Sequence, residues 1–345
     1  MKTIKGLSRQ RLCELLDGMS SVNAVLIGDM CLDVYWVGDM TRSHLSRETP
    51  HFPLPVVEER MSAGAGANAA VNMATLCPSA VAIGVIGNDW RGACLKDILR
   101  SKNMNTDGIV TAEGFTTNAY CKPMRRGYLG FEVEDPRLDF ENYVKLTPDI
   151  EDKLIENLKK YATDADIICV SDQFEYGCIT DRVRECINAL AESGRTVVVD
   201  SRTRINLYKN CILKPNEIEC ARATNSEPLD KDASEEDILS AAKNLGGMTS
   251  SGVCLTLGDR GCLIYRDGRA YRINAIKVEP PVDTCGAGDC FLPAFALALS
   301  AGACENEAGV IGAMASAICV KKINTTGSAS RDELLAIFDK NGREE

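Results

Sequence analysis

An α/β fold with a central, mostly parallel sheet is predicted by three features of this sequence. Short uninterrupted apolar runs at 167–170, 196–199, 211–213 and 252–257 are interleaved with helical segments. A strand covered by helices on both faces reads as such a run. Several runs end in glycine or an acid, at Gly28-Asp29, Asp172 and Asp200, and open parallel sheets carry ligand-binding groups at the carboxyl ends of their strands. The expectation is one doubly wound α/β/α domain over residues 1–345, with a small β-sheet inserted at about 34–60 and 111–140.

Composition narrows the function. At 345 residues and 45% apolar content the chain suits one large domain or two ordinary ones. No run approaches the roughly 18–20 apolar residues of a membrane helix. The N-terminal stretch reads as an amphipathic helix and not as a signal peptide. Sixteen cysteines without a C-x-x-C pair, beside two histidines, argue against a zinc site and a secreted disulfide framework. Reduced thiols in a cytoplasmic protein are the expectation. A net charge of −10 argues against nucleic-acid and anionic-membrane partners.

Taken in order, residues 8–19 form an entry helix with Leu12, Leu15, Leu16 and Met19 on one face. A strand over 24–27 leads to Asp33, placed to accept hydrogen bonds from a ligand or to face water. Residues 33–59 alternate weakly and suggest antiparallel strands. The small-residue run 63–70, containing Gly64, Gly66 and Asn68, opens a helix to Leu76. Gly64-x-Gly66-x-x-Ala69 imitates a dinucleotide fingerprint, but Glu58-Glu59-Arg60 interrupts the strand that should run into the first glycine. A buried strand over 81–86 precedes a helix capped by Asp89. Residues 111–139 read as strands carrying Arg125 and Arg126, which either bind a phosphate or face solvent. Thr147 and Pro148 start a helix to Tyr161, and another helix spans 180–193. Asn216 and Glu219 stand one helical turn apart, a spacing that suits either hydrated Mg²⁺ or an ordinary helix start. Thr256, Gly258 and Gly261 mark a turn between two strands, and 310–320 is an apolar helix.

The most chemical stretch is 283–302, DTCGAGDCFLPAFALALSAG. Gly286, Ala287 and Gly288 leave little bulk, so successive backbone N–H groups can face one anion, helped by the start of the following helix. Asp289 sits there. A carboxylate repels an anion, so its presence suits proton abstraction from an attacking hydroxyl. The competing reading is a helix cap behind a glycine turn.

Asp283-Thr284-Cys285-Gly286-Ala287-Gly288-Asp289 resembles the D-T-x-G-A-G-D signature of the ribokinase-like, or PfkB, carbohydrate kinases. The run 63–70 is similar to the first signature of that family, with Ala63 and Cys77 departing from it. N-x-x-E at 216–219 and T-L-G-x-x-G at 256–261 also resemble family motifs in the family's order. Within the family, GDMCLDVYW at 28–36, Ser46-Arg47-Glu48-Thr49-Pro50 and Arg137-Leu138-Asp139 resemble the heptose-phosphate kinases of ADP-heptose synthesis. The loop after Asp172 lacks the lysine of that subgroup.

The resemblance implies a ribokinase-like three-layer α/β/α fold with a β-sheet lid. It implies ATP-dependent phosphotransfer to a sugar or sugar phosphate, best matched by D-glycero-D-manno-heptose 7-phosphate, with another PfkB sugar or nucleoside kinase, or an inactive binding relative, as the alternatives. Asp289 would be the base and Gly286, Ala287 and Gly288 the anion hole. Asp33, Gly64, Gly66, Asn68 and Asp172 would bind substrate. Asn216, Glu219, Thr256, Gly258, Gly261 and Asp283 would serve the nucleotide, with Asn216 and Glu219 near Mg²⁺. Asp283 and the 321–329 loop would place a monovalent cation such as K⁺, that loop would also close over adenine, and the lid would pair two copies. The kinase part is expected to stand without the nucleotidyltransferase domain fused to some heptose kinases. No Gly-Lys dipeptide or G-x-S-x-G exists for a P-loop kinase or a serine hydrolase.

Overall fold

The apolar runs become strands whose alternate side chains enter two different cores. The computed structural model describes residues 2–4, 6–323 and 325–344. Its elements run β1 (Lys2–Ile4), β2 (Leu7–Ser8), α1 (Arg9–Met19), β3 (Ala24–Gly28), β4 (Met30–Asp39), β5 (Val56–Ala65), α2 (Gly66–Leu76), β6 (Val81–Gly87), α3 (Trp90–Ser101), β7 (Asn105–Ala112), β8 (Asn118–Arg126), β9 (Glu132–Glu134) and β10 (Leu138–Phe140). They continue α4 (Pro148–Ala162), β11 (Ile167–Asp172), α5 (Asp181–Glu192), β12 (Val197–Ser201), β13 (Ile212–Leu213), α6 (Glu217–Thr224), α7 (Glu235–Thr249), β14 (Gly252–Thr256), β15 (Cys262–Arg266), β16 (Arg269–Ile273), α8 (Ala287–Ser300), α9 (Glu305–Cys319), α10 (Arg331–Asn341) and β17 (Arg343–Glu344).

The central sheet has the order β7-β6-β3-β11-β12-β13-β14-β15-β16. Neighbours from β7 to β14 are parallel, and β15 and β16 return antiparallel at one edge. Leu26, Cys169 and Val198 face a core shared with α1, α2, α3, α8, α9 and α10. Val25, Ile27, Val170 and Val199 face the other core, shared with α4, α5, α6 and α7. This is the expected three-layer α/β arrangement. Helix α8 is buried from Cys290 to Ala298, and its apolar sequence suits that surrounding.

A smaller sheet has the order β10-β8-β4-β5, with β9 on β8. Its bounds differ from expectation. Strand β4 starts one residue after β3, and residues 105–112 stay in the central sheet as β7, so the second insertion begins at β8. Strand β5 also overturns the ground given for rejecting a dinucleotide fold. It is continuous through Glu58, Glu59 and Arg60, the two acids being exposed, and runs directly into α2. What separates it from that geometry is its sheet: β5 lies antiparallel to β4 in the small sheet. At its end Ala65 takes φ 47°, a conformation L-residues rarely adopt.

The chain leaves β3 toward β6 on one side and reaches β11 on the other, a topological switch point where such sheets bind ligands. Asp29 staples that point. Its buried carboxylate accepts the backbone N–H groups of Gln173, Phe174 and Cys178, each at 2.7 Å, and its carbonyl accepts from Gly66 N–H at 2.9 Å. Asp29→Ala leaves three backbone donors, one buried and two half-buried, without an acceptor and is expected to lower the unfolding free energy by about 2–4 kcal/mol in a urea titration.

Candidate active site

The site is built where strand ends, the base of the small sheet and the start of α8 meet. Gly286 has φ 77° and caps α8, whose first turn contains Asp289. The backbone can approach Asn68 here only because position 286 has no side chain: a Cβ would lie 2.7 Å from Asn68 Nδ2. That approach lets Asn68 Nδ2 donate to Asp289 Oδ2 at 2.9 Å. Pro293, four residues on, has no N–H, so the Asp289 carbonyl lacks its helical partner. Ala287 N–H closes a turn on Thr284 O at 3.3 Å. The other first-turn N–H groups are those a helix leaves without an intrahelical acceptor.

Two buried cations stand among the carboxylates of the site. Lys214, at the carboxyl end of β13, pairs with Asp200 at 3.0 Å, and its Nζ lies 3.5 Å from where a Gly288 Cβ would stand. The second, Lys122, has its Nζ 3.4 Å from Asp33 Oδ2 and 2.9 Å from the Tyr35 hydroxyl. The Asp33 Oδ1 atom is buried without a partner, against Gly64, where a Cβ would approach it to 2.6 Å. A buried acceptor left open at a cleft is suited to a ligand hydroxyl.

The electrostatics follow from this crowding. Burial pushes the Asp289 carboxyl up to about 6, opposed by the Asn68 hydrogen bond and reinforced by Asp200, while Lys214 acts downward. Burial also raises Asp33, against the pull of Lys122. Burial works against the charge of Lys214, but Asp200 and Glu219 outweigh it and hold the ammonium up. Glu219 is raised by burial and by Asp200.

Several predicted residues take other places. Asp172 is a correction: its carboxylate is enclosed, accepting from Arg204, from the Ser201 hydroxyl at 2.8 Å and from the Tyr208 hydroxyl at 2.9 Å. It ties β11 to the following loops and offers no surface to substrate. Gly66 is also a packing position, with a Cβ there only 2.8 Å from Asp29 O. Asn216, expected near Mg²⁺, caps α6. Its Oδ1 accepts Glu219 N–H at 2.8 Å while Glu219 Oε2 accepts Asn216 N–H at 2.9 Å, a reciprocal cap of α6. This leaves one carboxylate oxygen of Glu219, beside Asp200, to face a hydrated cation. No cluster of three or more metal-binding side chains occurs among the described residues. Arg125 and Arg126 are paired with Asp135 and with Glu58 and Glu132. They lie five or six residues beyond Tyr120, the partner of Asp33 across the sheet, at about 17 Å or more.

Thr256 forms a bridge with Asn216, and its hydroxyl donates to Pro215 O at 3.1 Å. Gly258 and Gly261 build the β14–β15 turn, which Leu257 N–H closes on Gly261 O at 2.8 Å. Asp283 Oδ1 accepts Cys285 N–H at 3.0 Å, folding the glycine loop in front of α8. Residues 321–329 pass nearby, with Thr326 donating to Ala63 O at 2.8 Å; position 324 lies outside the described residues.

Sequence reasoning assigned no role to Lys122, Lys214, Arg204 or Asn72. Lys214 carried a signal, as a lysine directly ending a buried apolar strand. Lys122 carried one too, as the lone charge between Asn118 and Met124 in a small-sheet strand.

A family model described as pfkB family carbohydrate kinase matches residues 24–332. The chain is 31% identical over 328 residues to the bifunctional protein HldE of Gluconobacter oxydans, covering 93% of this chain and 65% of that protein. It is 29% identical over 339 residues to the bifunctional protein HldE of Hyphomonas neptunium, covering 96% and 66%. It thus spans about two thirds of the length of these relatives. Among solved structures, a ribokinase from Thermotoga maritima aligns with TM-score 0.67 at 23% identity, over 93% of this chain and 100% of that one. Phosphofructokinase-2 from Escherichia coli in complex with fructose-6-phosphate aligns with TM-score 0.71 at 21% identity, over 92% and 98%. These likenesses identify the fold as ribokinase-like. With the family model matching most of its length, the chain belongs to the pfkB family of carbohydrate kinases.

Proposed function

We propose that this chain transfers the terminal phosphoryl group of ATP to a hydroxyl of a sugar phosphate, with Asp289 as the base. The observation that carries the reading is the placement of Asp289: a half-buried carboxylate, held by Asn68, beside the opening N–H groups of α8 and the Lys214 ammonium. The carboxylate takes the hydroxyl proton, while Gly286, Ala287 and Gly288 and Lys214 face the charge on the transferring group. Asp33, with Gly64 opening the space beside it, accepts from the sugar, and Lys122 keeps that carboxylate charged. Thr256, Gly258, Gly261 and the 321–329 segment line the nucleotide side. Mg²⁺ would neutralise the ATP phosphates, with Glu219 reaching it through water, and Asp283 would lie near a monovalent cation.

D-glycero-D-manno-heptose 7-phosphate is the acceptor we favour, from the HldE relatives and the segments at 28–36, 46–50 and 137–139. A second acceptor class, a hexose or hexose phosphate, is favoured by one observation: the 173–178 loop contains no lysine. One domain over 1–345 with the small sheet as its lid, pairing with a second copy through exposed Leu129, Phe131, Val133 and Leu138, completes the proposal. A reducing, cytoplasmic setting is supported by sixteen free cysteines.

ADP release from Mg-ATP, measured across heptose 7-phosphate, fructose 6-phosphate, fructose and ribose, tests the reaction. Acceptor-dependent release is expected, and Asp289→Asn should lower turnover by about 10²–10⁴-fold. Retention of turnover in that variant would remove Asp289 as base.

The pH dependence has a defined sign. Burial raises Asp289 to about 6, so the proton-accepting form is lost below that value. The acid limb of kcat/KM should therefore fall about tenfold per pH unit below 6. Stability runs the other way. Folding favours protonated Asp289, so its contribution is full below the ordinary carboxylate range and disappears as pH rises through about 6. Asp289→Asn should accordingly have a Tm no lower than the parent at pH 7, by calorimetry.

Lys122→Gln removes the cation beside Asp33. It should raise the sugar KM about tenfold or more at pH 7 and leave the ATP KM nearly unchanged, in initial-rate measurements. Equal changes in both would remove Lys122 from the sugar side.

A further inference from the structure

Among the described residues Asp289 has one side-chain donor, the Asn68 amide, and an amide can face a carboxyl group in two ways. With Nδ2 toward Asp289 it donates, which suits a carboxylate. Rotated half a turn it presents Oδ1, which only accepts and suits the protonated acid. The choice of amide orientation is thus a choice of protonation state.

Asn72 makes that choice. It lies one turn further along α2, 2% exposed. Its Nδ2 approaches Asn68 O at 3.0 Å, Gly327 O at 3.1 Å and Asn68 Oδ1 at 3.3 Å. The third contact exists only while Asn68 Oδ1 faces Asn72, and then Nδ2 of Asn68 must face Asp289. The reversed amide would set two NH₂ groups against each other and a carbonyl against a carboxylate. We propose that Asn72 is a positioning residue that fixes the amide orientation of Asn68 and so keeps Asp289 in its proton-accepting form, an inference that rests on Asp289 being the base. The contact with Gly327 makes the arrangement answer also to the 325–329 segment.

Other groups act on Asp289 from the elements around it: Asp33 from β4, Asp200 from β12, Lys214 after β13, and the thiols of Cys285, Cys290 and Cys319. Of these, the Cys290 thiol also bonds the Asn72 side chain, so replacing Asn72 alters the setting of that thiol and leaves Asp33, Asp200 and Lys214 in place.

The test follows the Asp289 carboxyl directly. Protein labelled with ¹³C at aspartate carboxyls is titrated by NMR from pH 4 to 8, and the Asp289 signal is the one missing in Asp289→Asn. Two variants are compared with the parent, each checked for folding by its thermal transition. In Asn72→Ser the hydroxyl can still bond the Asn68 carbonyl, as helix serines do, but does not reach Oδ1. In Asn72→Asp the new carboxylate accepts from Asn68 Nδ2 and turns Oδ1 toward Asp289. The midpoint is expected to rise by about one pH unit in the serine variant and further in the aspartate variant. The acid limb of kcat/KM for Mg-ATP with the active acceptor should move with it. An unchanged midpoint in both folded variants would overturn the inference and leave the base reading standing. Full turnover by Asp289→Asn would instead overturn the base reading, whatever the midpoints.

Discussion

A carboxylate taken out of water must find a cation or several donors, and that requirement organises this molecule. Acids stand at parallel strand ends, in β4 of the small sheet and in the first turn of α8, and folding brings Asp29, Asp33, Asp172, Asp200 and Asp289 close together in partial or full burial. Each is answered differently. Asp29 takes three backbone N–H groups, Asp172 takes Arg204 with two hydroxyls, Asp200 takes Lys214, and Asp33 takes Lys122. Asp289 alone is left with a neutral amide. The acids that are fully satisfied are structural, and the two with unmet demand, Asp289 and Asp33, are the ones our reading assigns to chemistry and to substrate.

Much of this was legible in the residues. Continuous apolar runs located the central strands because both of their faces are covered, and the small residues at 286–288 marked a place where backbone N–H groups stand open. The functional class came from motif order. Less legible was which acid does what. Asp172 and Asp200 end neighbouring strands and look alike as sequence, yet Arg204, thirty-two positions after Asp172, turns the first into a closed network. Such pairing is long-range and leaves no local pattern. N-x-x-E is similarly ambiguous, since the spacing that would suit a cation is also the spacing of a reciprocal helix cap.

The elements that escaped reading have physical reasons too. Helix α7 ends in Leu-Gly-Gly-Met-Thr and begins after an acidic, polar stretch, so its apolar stripe of Ile238, Ala242 and Leu245 is thin. Strand β5 carries Glu58, Glu59 and Arg60 because the far end of the small sheet projects into solvent, where burial no longer selects side chains. Charge in a sequence marks exposure, and exposure does not mark the end of a strand.

The attachment of the small sheet has a mechanical meaning. Strand β4 leaves β3 after the single residue Asp29, β5 enters α2 with no linker at all, and Gly66 N–H is bonded to Asp29 O across the two roots. The ribbon is therefore a cantilever built into the wall of the domain and not a flap on a hinge. Its free end, more than five residues out, can bend only by flexing β4 and β5 together, and that flexure is largest at the tip and smallest beside Asp33. A sugar seated at the root would meet a nearly rigid surface, while any adjustment to a larger ligand or to a neighbouring molecule would be taken up at the tip.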